Sequence, residues 1–287
     1  MTSFRTLAAA CAVSVFALGM GPFQPAQAQP AQAGKAPATV PNYVPQSGQS
    51  GKDVVWVPTQ DALVQRMLDM AKVTRDDHLV DLGSGDGRTV IAAAKRGVRA
   101  RGIEFNPDMV TLSQRAAEAE GVTDKARFER GDIFQADFSN ATVVTLFLLP
   151  ELNLRLRPTL LNMKPGTRVV SNSFMMDDWT PDETAILAEN CVNFCRAHYW
   201  VVPAKVAGTW RLGDGELRLT QSFQMLRGAL VRGGRSIPLF EAKMNGSEIS
   251  FVADGRRYTG TVDNGQISGR NEGNGDSQNW QATRTNS

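Results

Sequence analysis

Three glycines, with Asp81 before them and Glu104 after, carry the first chemistry legible in this chain. Asp81-Leu82-Gly83-Ser84-Gly85-Asp86-Gly87 sets glycine at every second position after an apolar run. Glu104 follows about 20 residues later, a spacing suited to holding ribose hydroxyls. Glycine lets a backbone take positive φ and approach a ligand with no Cβ in the way. Together these residues imply nucleotide binding. No cysteine or histidine set has zinc spacing. His78 and His198 are far apart in sequence and read as structural histidines on strands.

The elements that must position these groups follow from hydrophobic pattern. Leu79, Val80 and Leu82 form a short strand that ends at the glycine turn. Thr89 to Lys95 is alanine-rich and predicts a helix packed on a sheet. Val98 to Ile103 is the next strand, and Glu104 stands at its carboxyl end. This is a βαβ unit. A helix follows from Asn106-Pro107 to about Glu120, then a third strand over Ala126–Arg130 and an acidic turn at Asp132. The dinucleotide fingerprint needs a third glycine where this chain has Arg88, which disfavours an NAD-dependent oxidoreductase.

The run Asp81 to Gly87 instead resembles motif I of the class I S-adenosylmethionine (SAM) methyltransferases. That resemblance implies that Asp81, Gly83, Ser84, Gly85 and Gly87 hold the methionine part of SAM. It places the ribose on Glu104, beside Phe105, and the adenine near Asp132.

The chain has 287 residues, 42% hydrophobic and 21% charged. Its 31 basic and 29 acidic residues provide no basic field, which argues against a nucleic-acid partner. Residues 1–28 read as a secretory signal peptide: Arg5, an apolar run from Leu7 to Met20, then Ala26-Gln27-Ala28. The run is short for a membrane span, so the expectation is export to periplasm or medium, with a retained N-terminal anchor as the alternative. Residues 29–53 are rich in Pro, Ala, Gln, Gly and Ser and read as a disordered linker. Residues 54–206 form the expected SAM-binding domain.

Within that domain, Thr59 or Asp61 can cap a helix over Ala62–Ala71. Thr142 to Leu149 reads as a central parallel strand covered on both faces. Pro150 opens a helix, and Thr167–Phe174 is a fifth strand. Pro181–Asn190 reads as a short helix, and a sixth strand lies within Cys191–Pro203. The alternation gives an α/β fold, a doubly wound, mainly parallel sheet. At i, i+4 on a helix the Cα atoms of Cys191 and Cys195 would be about 6 Å apart, within disulfide range, and on an extended strand about 13 Å apart and unable to pair; the stretch reads as strand or loop, which favours free thiols. Residues 207–287 lose helical period and alternate in short runs between Asp214-Gly215, Asn245-Gly246, Asp254-Gly255 and Asn264-Gly265, which are hairpin signals. They predict a C-terminal antiparallel β module. Trp210–Leu212 suits either domain.

The acceptor site of an open sheet lies beyond the fourth strand. There the chain has Leu148-Leu149-Pro150-Glu151, which departs from the Asn/Asp-Pro-Pro-Tyr/Phe pattern of nucleic-acid and glutamine methyltransferases. The run Val144 to Pro150, with Asp81–Arg88 and Gly166–Ser171, resembles a family of protein-lysine methyltransferases. That family includes the ATP-synthase c-subunit enzyme and small archaeal enzymes. The resemblance covers about residues 54–203 and implies a protein substrate. It also implies that the Val57-Pro58-Thr59 segment folds over the SAM site. The leader and the β module are not part of the family pattern. Glu151 and Asn153 are the polar residues nearest the expected acceptor, and Glu151 can orient an amine or simply favour the helix dipole. Methyl transfer to a lysine amine needs alignment and exclusion of water more than a dedicated base. The second reading is an exported, non-catalytic binding protein on the same fold.

Overall fold

The computed structural model describes residues 43–285, apart from 190 and 274. The leader and most of the linker lie outside the described residues. The chain runs α1 (Asp61–Met70), β1 (His78–Leu82), α2 (Arg88–Lys95), β2 (Arg99–Glu104), α3 (Pro107–Ala119), β3 (Ala126–Arg130), β4 (Val143–Leu146), α4 (Pro150–Leu161), β5 (Arg168–Asn172), β6 (Glu183–Ile186) and β7 (Arg196–Val201). These strands form one sheet in the order β3-β2-β1-β4-β5-β7-β6. β1 to β5 are parallel, and β7 lies antiparallel between β5 and β6. Strand order reverses between β1 and β4, where ligands bind in such sheets.

The core divides across the sheet. On one face α1, α2 and α3 bury Leu63, Leu68, Val90 and Val110 against Leu79, Val143 and Val170. On the other, α4 buries Leu156 and Leu160 against Val80, Leu82, Val144 and Leu146. Burial on both faces explains why β1 and β4 read as continuous apolar runs.

The remaining strands are β8 (Gly208–Leu212), β9 (Gly215–Ser222), β10 (Met225–Arg232), β11 (Arg235–Pro238), β12 (Phe240–Asn245), β13 (Glu248–Ala253), β14 (Arg256–Asp263), β15 (Gln266–Gly273) and β16 (Asp276–Arg284). Eight of them close an antiparallel barrel, because β8 pairs with both β9 and β16 while β10 joins β9 to β12. β11 hangs on β10 outside the ring. Trp210, Phe251, Tyr258 and Trp280 fill the interior, with the Phe251 and Tyr258 rings stacked at 4.7 Å. Asp254-Gly255 and Asn264-Gly265 are hairpin turns with positive φ at both residues. The other two turns are offset by one residue: Leu212 pairs with Gly215, and Asn245 with Glu248.

The barrel packs on the first sheet. Trp179 is fully buried, stacks on Phe223 at 6.0 Å and donates its indole N–H to Gln224 Oε1 at 3.1 Å. Ala204 N–H donates to the Gly246 carbonyl at 2.8 Å.

The structure corrects three expectations. Within Pro181–Asn190, residues 183–186 form a strand, not a helix: they pair along β7, and β-branched Thr184 and Ile186 suit that edge. Cys191 and Cys195 form a disulfide, with Cα atoms 5.7 Å apart. They fall in the loop before β7, so the extended spacing that separates them on a strand does not apply. Residues 43–53, read as linker, carry an ordered turn in which Gly48 and Trp56 bond backbone to backbone, as do Gln49 and Trp56. Trp210–Leu212 belongs to the barrel.

Candidate functional site

A cleft opens at the carboxyl ends of β1, β2 and β4, lined by the glycine turn, Glu104, Phe105, Asp132 and the run Leu146–Leu149. Gly83, Gly85 and Gly87 all take positive φ. At Gly85 a Cβ would stand 2.5 Å from the Trp56 indole nitrogen, which therefore lies on the bare turn. Gly87 is the left-handed N-cap of α2, and a Cβ there would meet the Phe128 ring at 2.7 Å. Gly87 thus serves the packing of α2, and Gly85 the close approach at the cleft. The Ser84 hydroxyl is buried with no hydrogen-bond partner among the described residues and faces Gly102, where a Cβ would stand 2.5 Å away.

Two carboxyl groups point into the cleft's floor. Glu104 Oε2 accepts the Gly85 N–H at 3.0 Å, and Oε1 accepts the Asn106 N–H at 2.8 Å. A carboxylate has about four lone-pair directions, so these two bonds fix its orientation and leave capacity for a pair of hydroxyls. Asp81 is buried and accepts from Thr145 Oγ1 at 2.6 Å. Burial pushes its carboxyl up to about 7, and the nearby Asp86 and Glu104 charges add to this against the Thr145 bond. A carboxyl so poised favours a cationic neighbour.

A strap of residues 49–59 crosses the cleft. Lys52 Nζ pairs with Asp132 Oδ2 at 2.9 Å and lies 5.0 Å from the centre of the Phe105 ring. The Lys52 hydrogen bond, with the Phe134 N–H, holds the Asp132 carboxyl below its ordinary range. The strap's other end is fixed by Thr59. Its hydroxyl accepts from Asn172 Nδ2 at 3.2 Å, and its carbonyl accepts from Arg88 Nη1 at 2.9 Å. Arg88 also chelates Asp86. The residue that breaks the dinucleotide fingerprint is therefore the pin that docks the strap.

Beyond β4 the wall is aromatic: Phe147, Phe174 and Phe194 meet there. Glu151 is exposed on the first turn of α4, and Asn153 is fully buried. Neither lines the cleft. Asn153 Nδ2 donates to the carbonyls of Phe174 at 3.2 Å and Met175 at 3.3 Å, which anchors the segment after β5. The cleft thus brings together Thr59, Asp81, Gly83, Ser84, Gly85, Glu104, Phe105 and Asp132, while Gly87 sits behind it. Trp56, Lys52, Asn172, Phe174 and Phe194 were not legible as site residues. Lys52 falls in a stretch whose composition reads as linker, and the aromatics come from separate segments with no shared motif.

Sheet order, glycine turn and acid-ended second strand define the class I methyltransferase class. A family model for the ANTKMT methyltransferase domain matches residues 81–183. A protein-lysine N-methyltransferase of Saccharolobus islandicus is 43% identical over 143 residues, covering 49% of this chain and 89% of that protein. The human ATP-synthase c-subunit lysine N-methyltransferase is 38% identical over 128 residues, covering 44% of this chain and 54% of that one. The chain therefore spans only about half of that human relative. A solved structure from Salinibacter ruber, described as an RNA methyltransferase in complex with S-adenosyl-L-homocysteine, is 46% identical, with a TM-score of 0.49 and coverage of 52% of this chain and 96% of that one. The chain belongs to the methyltransferase family of these lysine N-methyltransferases.

Proposed function

We propose that the protein transfers a methyl group from SAM to a lysine amine of a protein. The observation that carries this reading is the meeting, in one cleft, of an oriented Glu104 carboxylate, a buried Asp81 carboxyl and an apolar wall beyond β4. The residues fit the cofactor chemically. Glu104 keeps acceptor capacity for the ribose diol. Asp81 offers charge to the cationic methionine end. Phe105 and Ile133 offer apolar surface to the base, with Asp132 at its rim. Bound SAM supplies a sulfonium-activated methyl: the amine lone pair forms the N–C bond, and the breaking S–C pair stays on sulfur.

The chain's own contribution is alignment and dryness. Trp56 and the strap cover the turn, and Arg88 with Asn172 holds Thr59 in place. An ammonium entering an apolar channel is disfavoured against its neutral amine, so the acceptor sheds its proton to water before transfer. Glu151, exposed on α4, offers a carboxylate to the incoming ammonium. Asn153 acts from behind as a positioning residue through the Phe174 and Met175 carbonyls.

Names of the relatives support the lysine acceptor, as does the departure at Leu148–Glu151 from the pattern of nucleic-acid enzymes. We further infer export by the N-terminal leader, with the first 28 residues removed and residues 207–287 as a separate module. The Cys191–Cys195 disulfide supports an oxidising compartment. Among the described residues no helix is long and apolar enough to cross a membrane.

Incubation of the full chain with methyl-labelled SAM, a lysine-rich protein and an RNA tests the acceptor. Label recovered as N-methyl-lysine is the expected result. Label in RNA alone overturns the lysine reading.

A further inference from the structure

The disulfide closes a short loop whose fourth residue is Phe194. Phe194 has φ +58, a left-handed conformation that bulky residues seldom adopt unless their surroundings impose it. Its ring lies 5.2 Å from Phe147, edge-on, and 6.1 Å from Phe174. Phe147 follows β4 directly, and β4 flanks β1 on the side opposite β2, which ends at Glu104. Phe194 lines the cleft and is 41% exposed. Val192 in the same loop and Leu149 beside Phe147 are exposed apolar neighbours in sequence. The loop joins β6 to β7, and Leu187 N–H donates to the Cys195 carbonyl at 2.9 Å at its base. The loop therefore spans from a fixed strand edge to the mouth of the site, and the disulfide limits where Phe194 can go.

We propose that Phe194 is a specificity-determining residue for the methyl acceptor and that the Cys191–Cys195 disulfide is its positioning device. This rests on the methyltransferase reading. The three phenylalanines form an apolar channel in which the aliphatic stem of an acceptor lysine packs, while its amine faces the cofactor side. The channel surface contributed by Phe147, Phe174 and Phe194 has no carboxylate, so it favours the neutral amine. Opening the disulfide frees Phe194 from its left-handed conformation and widens the channel. The cofactor side, built on β1 and β2, is untouched.

The test measures two affinities on the same protein. The full chain is titrated calorimetrically with S-adenosylhomocysteine, and then, saturated with it, with a synthetic Leu-Lys-Leu peptide. Titrations use oxidised protein, protein reduced with dithiothreitol, Cys191→Ser/Cys195→Ser and Phe194→Ala. Reduction converts the S–S bond to two thiols with two electrons and two protons, as dithiothreitol closes to its cyclic disulfide. The expected result is peptide binding weakened about fivefold or more in all three altered forms, the loss of one aromatic contact. Phe194→Leu, which keeps an apolar surface, recovers most of it. S-adenosylhomocysteine affinity stays within about twofold, because no cofactor-side group has moved. Peptide affinity indifferent to reduction and to Phe194→Ala, or no peptide binding by oxidised protein that binds S-adenosylhomocysteine, overturns the proposal. Equal losses for both ligands also overturn it. Failure of S-adenosylhomocysteine to bind overturns the methyltransferase reading itself, and this proposal with it.

Discussion

Thr145 Oγ1 donates to Asp81 Oδ1 at 2.6 Å across the β1–β4 ladder, where the two residues are register partners. The bond ties the first acid of the glycine turn to the strand that leads to the aromatic wall. It also opposes the burial that drives the Asp81 carboxyl up to about 7. Two pH trends of opposite sign follow.

Without ligand, Asp81 holds its proton more tightly folded than unfolded. Its contribution to stability is therefore full below its ordinary value of 3.8 and is lost as pH rises through about 7. Urea unfolding should show the wild type losing stability relative to Asp81→Asn across that window. SAM affinity should run the other way, rising as pH passes 7 and Asp81 ionises. Thr145→Val should move that midpoint to higher pH, and Asp81→Asn should flatten it. Calorimetric titrations from pH 5.5 to 8.5 check this.

Glu104→Ala should weaken SAM binding by about 10–100-fold, the loss of hydrogen bonds to a charged group. Because Glu104 also fixes the Gly85 and Asn106 N–H groups, Glu104→Gln should recover only part of the loss. An unchanged dissociation constant for Glu104→Ala would remove the ribose role.

Lys52→Ala breaks an ion pair on an exposed strap. Thermal melting should be unchanged, since exposed pairs contribute little. Stopped-flow measurements should instead show faster release of S-adenosylhomocysteine, and added salt should produce the same effect in the wild type.

Trp179→Ala should cost about 3–5 kcal/mol by denaturant unfolding, as expected for a buried indole. It should also split a single transition into two. Trp179 is fully buried between the sheet and the barrel and bonds to Gln224, so its loss uncouples them. A single, unshifted transition would contradict its role as the joint.

The glycine-turn side of the cleft was legible because its residues are local in the chain. Asp81 to Gly87 is one turn, and Glu104 ends the next strand, so pattern and spacing place them without knowledge of the fold. The aromatic side was not. Phe147, Phe174 and Phe194 converge from the segments after β4 and after β5 and from the β6–β7 loop, and no spacing predicts that. The cysteine pairing failed for a related reason. Whether two cysteines four residues apart can join depends on where β7 begins, and strand boundaries are the least certain part of a pattern reading. In the barrel, Asp254-Gly255 and Asn264-Gly265 announced their turns, whereas glycines at 213 and 246 carried the other two turns one residue away from the expected pairs.

The seam between β8 and β16 sets the order in which the molecule can be completed. β8 finds β9 at once across a two-residue turn, but its other neighbour is the last strand of the module: Arg211 waits for Thr283, and Trp210 for Arg284. During synthesis the nucleotide-binding sheet has all seven strands by Val201, long before the barrel can shut. Until β16 emerges, both β8 and β15 present unpaired edges, which are templates for pairing with other chains. The methyltransferase half is thus the part whose strands are complete first. The barrel is the step at which a nascent chain is most exposed to its neighbours.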